Sequence, residues 1–288
     1  MRSMVRLCVF VTLFLSVAAP RRLRAQESGS ADAGTAKEEP ATMQAQPPKL
    51  PVVVLLLAAG ARFRSIRLEV GDGSGGTEQR TFETGAYFAL GGHLLLRPMA
   101  RRVAAPSLQA IAIQIDGGGG IDLRVEPART GISLQTKIWE LLGQFGYLYP
   151  IDRLQVGGLV GLGGAVLRID LNSVLPSWSI VYFRVGPAVI YDIIPSLLVF
   201  RGDFGLRVPF LLSQLQDAFG SDSSGIGFDA AATFGGRLDA GFTYALRCAW
   251  EYYRLRFAGP RMNVPATGDG GSGKDRAFTI QVLLGWSL

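Results

Sequence analysis

The chain has 288 residues, of which 48% are hydrophobic, 18% are charged and 37 are glycine, and its formal net charge is +6. This proportion of charged residues is low for one soluble domain, which disfavours a single compact core surrounded by water. Residues 1–25 hold five arginines and no acid, and without them 24 basic residues balance 23 acidic ones. The balance excludes a strongly basic protein that binds nucleic acid.

The N-terminus has the pattern of a secretory signal peptide. Two arginines precede an apolar run from Leu7 to Ala19, and the small residue Ala25 ends the segment. The run is too short to cross a bilayer as a helix, which favours a leader cleaved after Ala25. Cys248 then has no second cysteine in the exported chain, so no internal disulfide is predicted.

Residues 26–51 are rich in Ala, Gly, Ser, Pro, Glu and Gln and contain no aromatic residue. A segment of this composition cannot bury enough apolar surface to offset the entropy of ordering it. We predict a disordered periplasmic tail over 26–51 and a folded region over 52–288.

The folded region contains no stretch of about twenty apolar residues, which excludes ordinary transmembrane helices. Apolar residues instead recur at every second position. Over 197–212, three phenylalanines (Phe200, Phe204 and Phe210) share one face with four aliphatic residues, whereas Arg201, Asp203 and Arg207 share the other. A two-residue period indicates a strand with one apolar face. We predict ten such strands, at about 53–68, 83–98, 107–116, 134–149, 153–170, 178–193, 197–212, 227–242, 247–258 and 276–288.

The connections between the predicted strands alternate in character. Those after even-numbered strands are mostly short, such as YPID at 149–152, IIPS at 193–196 and YALR at 244–247. Those after odd-numbered strands are longer and rich in glycine or polar residues. An even number of strands, short turns at one end and longer loops at the other are typical of transmembrane β-barrels. We predict an all-β fold: a closed antiparallel transmembrane β-barrel of about ten strands in up-and-down meander order.

A soluble barrel or sandwich is the competing fold, with the bulky face inside and the glycine-rich face outside. The positions of the aromatic residues favour the membrane fold. Tyr149, Tyr191 and Trp286 fall near the short-turn ends, and Trp178 and Tyr252 fall near the loop ends. Two aromatic girdles are expected of a barrel that spans a membrane. The general preference of aromatic residues for strands explains their number but not this clustering.

The segment 276–288 has the most regular alternation in the sequence. Its apolar face carries Ile280, Val282, Leu284, Trp286 and Leu288. The pattern resembles the C-terminal signal by which the assembly machinery recognises bacterial outer-membrane β-barrels, which usually ends in Phe or Trp. The resemblance is to the broad class of small outer-membrane barrels. It implies residence in the outer membrane of a Gram-negative bacterium after export to the periplasm, with membrane lipid and the barrel-assembly machinery as partners.

The polar face of the predicted strands lines the lumen. The residues assigned to it include the acidic Glu140, Asp203, Asp229, Asp239 and Glu251, together with His93 and nine arginines: Arg62, Arg64, Arg97, Arg168, Arg184, Arg201, Arg207, Arg237 and Arg247. Basic side chains are in excess, and many inward positions are glycine, although ten strands lie close to the limit at which side chains fill a barrel. We predict a narrow pore that passes small solutes and prefers anions. The competing interpretation is that these charges pair across strands and plug the barrel.

A non-conducting structural or adhesive surface barrel that acts through its longer loops is the second functional hypothesis. The segments DGGGG (116–120) and GDGG (268–271) lack the spaced carboxylates of a calcium loop and the Lys-Ser/Thr pair of a phosphate-binding loop. We predict that both are flexible connections, and no metal or cofactor is predicted.

An outer-membrane enzyme is the third hypothesis. Outer-membrane proteases and lipid-modifying enzymes are barrels of this size and typically have a histidine near the loop rim. This chain has one histidine, His93, within LGGHLLLRP at a predicted inward position. Because spacing assigns it neither a nucleophile nor a carboxylate, a packing role is favoured over catalysis.

Overall fold

The computed structural model describes residues 50–71, 77–101, 106–125, 134–169, 177–259 and 271–288. The strands in these ranges are β1 (Val53–Gly71), β2 (Thr77–Glu83), β3 (Tyr87–Leu96), β4 (Ile111–Val125), β5 (Leu134–Ile151), β6 (Leu154–Ile169), β7 (Trp178–Ile194), β8 (Leu198–Leu211), β9 (Asp222–Arg237), β10 (Phe242–Ala258) and β11 (Gly271–Ser287). Two short helices, α1 (Pro106–Gln109) and α2 (Ser213–Phe219), precede β4 and β9. Neither helix has the length and hydrophobicity needed to cross a membrane. The predicted signal peptide (1–25) and nearly all of the predicted tail (26–51) lie outside the described residues.

The strands form one closed antiparallel sheet in which neighbours follow chain order. β1 and β11 close it and pair from Val54–Ser287 to Glu69–Ser272. β2 and β3 both pair with β1, one after the other along its length, and so act as one interrupted strand. With β2 and β3 counted as one strand, the barrel therefore has ten strands around its circumference. The prediction of a closed antiparallel barrel of about ten strands in meander order is confirmed.

The interruption between β2 and β3 is a β-bulge that fixes the backbone of Arg64. Three residues separate Glu83 from Tyr87, whereas two separate their β1 partners. The amide of Thr84 donates to the Arg64 carbonyl at 2.9 Å, and the Arg64 amide donates to Thr84 Oγ1 at 2.8 Å. The bulge thus satisfies the local backbone while the Arg64 side chain lies buried in the lumen.

The outer surface of the barrel is apolar over a continuous band. Leu57, Leu284 and Trp286 face outward and are 70%, 48% and 59% exposed. Near the short-turn end Trp286 packs edge-on against Phe242, with ring centroids 5.5 Å apart. In a water-soluble barrel these side chains would fill the interior, whereas outward rows of large apolar residues match the lipid-facing band of a membrane barrel.

The chain reverses between β9 and β10 at 238–241 and not at 244–247, so the turn predicted at YALR is wrong. A 3-10 turn over Asp239–Gly241 makes the reversal, with positive φ at Ala240 (60°) and Gly241 (81°). Asp and Gly favour such turns, and this local signal was hidden by the alternation that continues through 227–242. Asp239 consequently lies in a turn and not on a lumen-facing strand position; its side chain is outside the described part of the structure.

Residues 116–120 lie inside β4, so their prediction as a flexible connection is wrong. They pair with β3 on one side and β5 on the other. Glycine is disfavoured in strands, but at two of these positions neighbouring backbone leaves no room for a side chain. A methyl group at Gly118 would lie 2.9 Å from the Leu90 carbonyl oxygen, and one at Gly119 would lie 2.8 Å from the Ile138 carbonyl oxygen. β4 begins at Ile111, so the predicted strand start at 107 falls in α1. Of GDGG, Gly271 begins β11 and 268–270 are outside the described residues.

The lumen is filled by side chains in layers. At the loop end an apolar cluster includes Leu68, Phe82, Trp178, Phe257 and, from α2, Phe219, each at most 3% exposed. Toward the short-turn end lie two smaller apolar clusters, made of Leu95, Ala112, Leu148, Leu159, Ala188 and Ile190 and of Leu56, Ala58, Ala245 and Leu283. The charged side chains of the lumen lie between these apolar layers.

Candidate functional site

A continuous series of ion pairs crosses the middle of the lumen. Its nine members, in order of contact, are Asp203, Arg184, Asp229, Arg207, Glu251, Arg62, Glu140, Arg64 and Asp275, and we call them the ion-pair chain. Acidic and basic members alternate, so every arginine lies between two carboxylates. Inward positions of seven strands supply them, which ties opposite walls of the barrel together.

Arg184 anchors one end of the ion-pair chain and is 1% exposed. Its Nε donates to both carboxylate oxygens of Asp229, at 3.0 and 2.9 Å, and its Nη2 donates to Asp203 Oδ1 at 2.8 Å. Asp229 also accepts from Arg207 Nε at 2.5 Å. Charge-assisted, bidentate contacts of this kind are the strongest hydrogen bonds in proteins, which fixes β7, β8 and β9 relative to one another.

At the other end Arg62 and Arg64 emerge from β1 on the same face. Arg62 Nη2 donates to Glu140 Oε1 at 2.7 Å and to Glu251 Oε2 at 3.1 Å. Arg64 makes a bidentate pair with Asp275, at 3.0 and 2.5 Å. The contacts link β1 to β5 and β10, which are not its neighbours in the sheet, and to β11, which is.

Aromatic rings separate the ion-pair chain from the apolar loop end. The Arg207 guanidinium lies 4.7 Å from the Tyr182 ring centroid and donates to the Tyr253 hydroxyl at 2.9 Å. Arg64 lies 4.8 Å from the ring centroid of Trp178. Cation–π contacts stabilise arginine where water is excluded. The loop side of the ion-pair chain is therefore covered by rings and not by solvent.

A second group of polar residues, His93, Gln114, Asp116, Arg201 and Arg247, lies toward the short-turn end, and we call it the polar cluster. Asp116 is its centre: its Oδ1 lies 2.7 Å from His93 Nδ1 and 3.0 Å from Arg247 Nη1. Gln114 donates to Asp116 Oδ2 at 2.5 Å and accepts from Arg201. Because an ionised carboxylate only accepts, the Nδ1 of His93 carries a proton.

A polar cavity of about 100 Å³ lies between the ion-pair chain and the polar cluster. Its walls include Arg62, Arg207, His93, Arg247 and Thr279. The volume equals that of about three water molecules. A histidine oriented by a carboxylate is the arrangement of a general base. The described lining contains no serine or cysteine, and Thr279 supplies its hydroxyl group.

The structure brings most of the predicted lumen residues into these two groups. Glu140, Arg184, Asp203, Arg207, Asp229 and Glu251 lie in the ion-pair chain, and His93, Arg201 and Arg247 lie in the polar cluster. Arg237 is half-buried at the short-turn end, where its amide donates to the Ser196 carbonyl at 2.6 Å. Arg168 faces outward and is exposed, because β6 places its odd-numbered residues inside.

Sequence reasoning missed two inward carboxylates, Asp116 and Asp275. Asp116 begins the glycine run that we predicted to be a loop, and Asp275 precedes the predicted start of the last strand. Both form ion pairs in the lumen. The alternation of Asp275 with Ala277 and Thr279 is a sequence signal for its inward position, which shows once β11 is extended to Gly271.

The predicted assembly-signal residues of β11 lie on the outer face. Val282, Leu284, Trp286 and Leu288 are 52%, 48%, 59% and 77% exposed, and Ile280 is half-buried between Ala61 and Cys248 on the neighbouring strands. Their recognition by the assembly machinery stays a prediction.

No known protein family and no curated protein matches the sequence. Among solved structures, the chain is similar to the outer membrane protease OmpT from Escherichia coli, with a TM-score of 0.53 and 11% identity over 82% of this chain and 96% of that chain. It matches the P. putida toluene transporter TodX with a TM-score of 0.30 and 10% identity, over 81% and 90% of the two chains. The second score is too low to indicate a shared fold, and at 11% identity the first shows the fold alone. The chain has the fold of a bacterial outer-membrane β-barrel.

Proposed function

We propose that this chain is a closed, non-conducting barrel of the Gram-negative outer membrane that acts through its outer surface and its longer loops. One observation carries the proposal: the arginines of the ion-pair chain face carboxylates and not an aqueous channel. Each arginine of the ion-pair chain contacts two carboxylates. Charges that are paired and hydrogen-bonded are stable in a filled interior, whereas open pores present unpaired charges to water.

The charge balance of the lumen argues in the same direction. The ion-pair chain has four arginines and five carboxylates, and the polar cluster adds Arg201 and Arg247 against Asp116. Together the two groups hold six arginines and six carboxylates, so they are neutral when His93 is neutral. Arg97 is a buried arginine outside both groups and donates to Gln155 at 2.8 Å. The basic excess on which anion preference depended came from leaving out Asp116 and Asp275 and from counting Arg168, which faces outward.

A narrow pore is the second candidate, and the cavity of about 100 Å³ is the observation that favours it. The cavity touches both charged groups, so breakage of the Arg62–Glu251 or Arg207–Glu251 contacts would extend it toward the loop end. The apolar cluster on the loop side, with α2 packed into it, must also move before a solute passes. This requirement makes the pore the less supported of the two functions.

Planar-bilayer conductance of the folded barrel separates the two candidates. We expect the wild-type protein to give no discrete conductance steps, after heat-modifiable gel migration has shown that it is folded. Arg207→Ala removes a charge beside the cavity, and Arg168→Ala removes one from the exposed outer face as its matched control. Anion-preferring steps in the wild type that change with Arg207→Ala, but not with Arg168→Ala, would establish the pore and end our proposal.

A further inference from the structure

A row of cations crosses the outer face of three adjacent strands near the loop end. Arg254 on β10, Lys274 on β11 and Arg67 on β1 are direct cross-strand partners, and all three are exposed. Arg276 is the next outward residue from Lys274 toward the short-turn end, and Arg256 is the next outward residue from Arg254 toward the loop end. Both are exposed. We call these five residues the basic patch.

The basic patch lies directly above the apolar band. Trp250, Phe278 and Phe63 form the last aromatic row of that band on the same three strands. Lys274 is four residues beyond Phe278, about 14 Å along the strand. At the usual tilt of barrel strands this distance places the patch about 10 Å above the aromatic row, at the height of lipid headgroups.

Most cations of the basic patch have no carboxylate partner among the described residues. Arg67 Nη2 lies 3.4 Å from Glu83 Oε1, and both side chains are more than half exposed. Glu69 accepts a hydrogen bond from Ser272 at 3.3 Å. Among the described residues, the other four cations of the patch form no ion pair. Like charges directly opposite each other destabilise a sheet, so the row is costly unless an anion lies against it.

We propose that the basic patch binds the phosphate groups of an anionic lipid in the outer leaflet. Cross-strand partners lie about 5 Å apart and successive outward positions about 7 Å apart, so several cations contact one or two phosphates together. Arginine matches phosphate with paired donors, and lysine adds a point charge.

Aromatic residues at the lower edge of the basic patch are placed to contact the part of the lipid below its phosphate groups. The Arg276 guanidinium lies 5.6 Å from the Tyr252 ring, which stacks parallel to Trp250 at 6.0 Å. An amphipathic ring at this height contacts the boundary between the headgroup and the acyl chains. The charged and aromatic surfaces are therefore continuous along the direction in which a lipid molecule lies.

Native mass spectrometry of the detergent-solubilised barrel tests the proposal, with phosphatidic acid, whose headgroup is a phosphate monoester, titrated against phosphatidylcholine. We expect phosphatidic acid to bind more tightly. The double variant Arg254→Gln/Lys274→Gln is expected to bind it about 30-fold more weakly, from the typical attraction of two cations for an anionic membrane surface.

The matched control is Lys137→Gln/Arg168→Gln. These two exposed cations are cross-strand partners on the outer face of β5 and β6, so the control removes the same charge elsewhere on the barrel. We expect wild-type affinity from it. Equal loss in both double variants, no loss in the patch variant, or no preference of the wild type for phosphatidic acid would overturn the proposal.

Inorganic phosphate distinguishes a lipid site from a site for a free anion. If it displaces phosphatidic acid at equal concentration, the patch binds phosphate as such and the lipid proposal fails. All substituted side chains are exposed, so folding is expected to survive and is checked by heat-modifiable migration. The single variant Arg276→Gln, expected to bind phosphatidic acid several-fold more weakly, serves as the test if the double variant does not fold.

Discussion

Replacement of Arg184 by alanine is expected to lower the free energy of unfolding by about 3–5 kcal/mol. The guanidinium contacts two carboxylates, Asp203 and Asp229, and is 1% exposed. Its removal leaves Asp203 buried without its cation and Asp229 with Arg207 alone. The cost comes mainly from the buried Asp203 carboxylate, which loses its ion-pair partner, and it exceeds the cost of the lost contacts themselves.

Urea-induced unfolding of the folded barrel in lipid vesicles measures this effect. Arg184→Met keeps much of the side-chain volume and removes the charge, so we expect it to be nearly as destabilising as Arg184→Ala. Arg168→Ala, on the exposed outer face of β6, is expected to change the free energy of unfolding by less than about 0.5 kcal/mol. A mild Arg184→Met beside a severe Arg184→Ala would assign the effect to packing and contradict the role of charge.

The strand architecture was predictable because the environment of a membrane barrel imposes a two-residue period on every strand. Lipid outside and a crowded lumen inside select apolar and polar or small residues in turn, as at Phe200 to Arg207 on β8. The same regularity hid local signals. The alternation across 227–242 masked the turn at Ala240 and Gly241, and glycine at 117–120 concealed a central part of β4.

The lumen-facing positions were predictable, but their partners were not. Arg62 on β1 pairs with Glu251 on β10 and Glu140 on β5, which lie 189 and 78 residues away along the chain. Such contacts depend on how far each strand is shifted against the next around the closed sheet, and residue spacing along one strand contains no such information. The basic excess was overestimated because Asp116 and Asp275 were not counted as inward residues, whereas the outward-facing Arg168 was.

Gly186→Ala is expected to be strongly destabilising, because the added methyl group has no space on the inner wall. A Cβ at Gly186 would overlap the carbonyl oxygen of Phe204 on β8 and lie 2.9 Å from Gly205 Cα. Backbone cannot yield as the end of a side chain does, so β7 and β8 must separate beside Arg184. We expect a loss of at least about 3 kcal/mol, at the upper end of overpacking effects, and a smaller fraction of folded, heat-modifiable barrel.

Gly143→Ala is the matched control, because a Cβ at Gly143 meets nothing within 4 Å. This position on β5 faces outward, and the added methyl group is expected to leave stability unchanged or to raise it slightly by restricting the unfolded chain. Equal urea midpoints for Gly186→Ala and Gly143→Ala would show that the wall relaxes without cost. The expected difference instead means that inward glycine lets neighbouring strands approach closely, and that this approach brings the carboxylates of β8 and β9 within reach of Arg184.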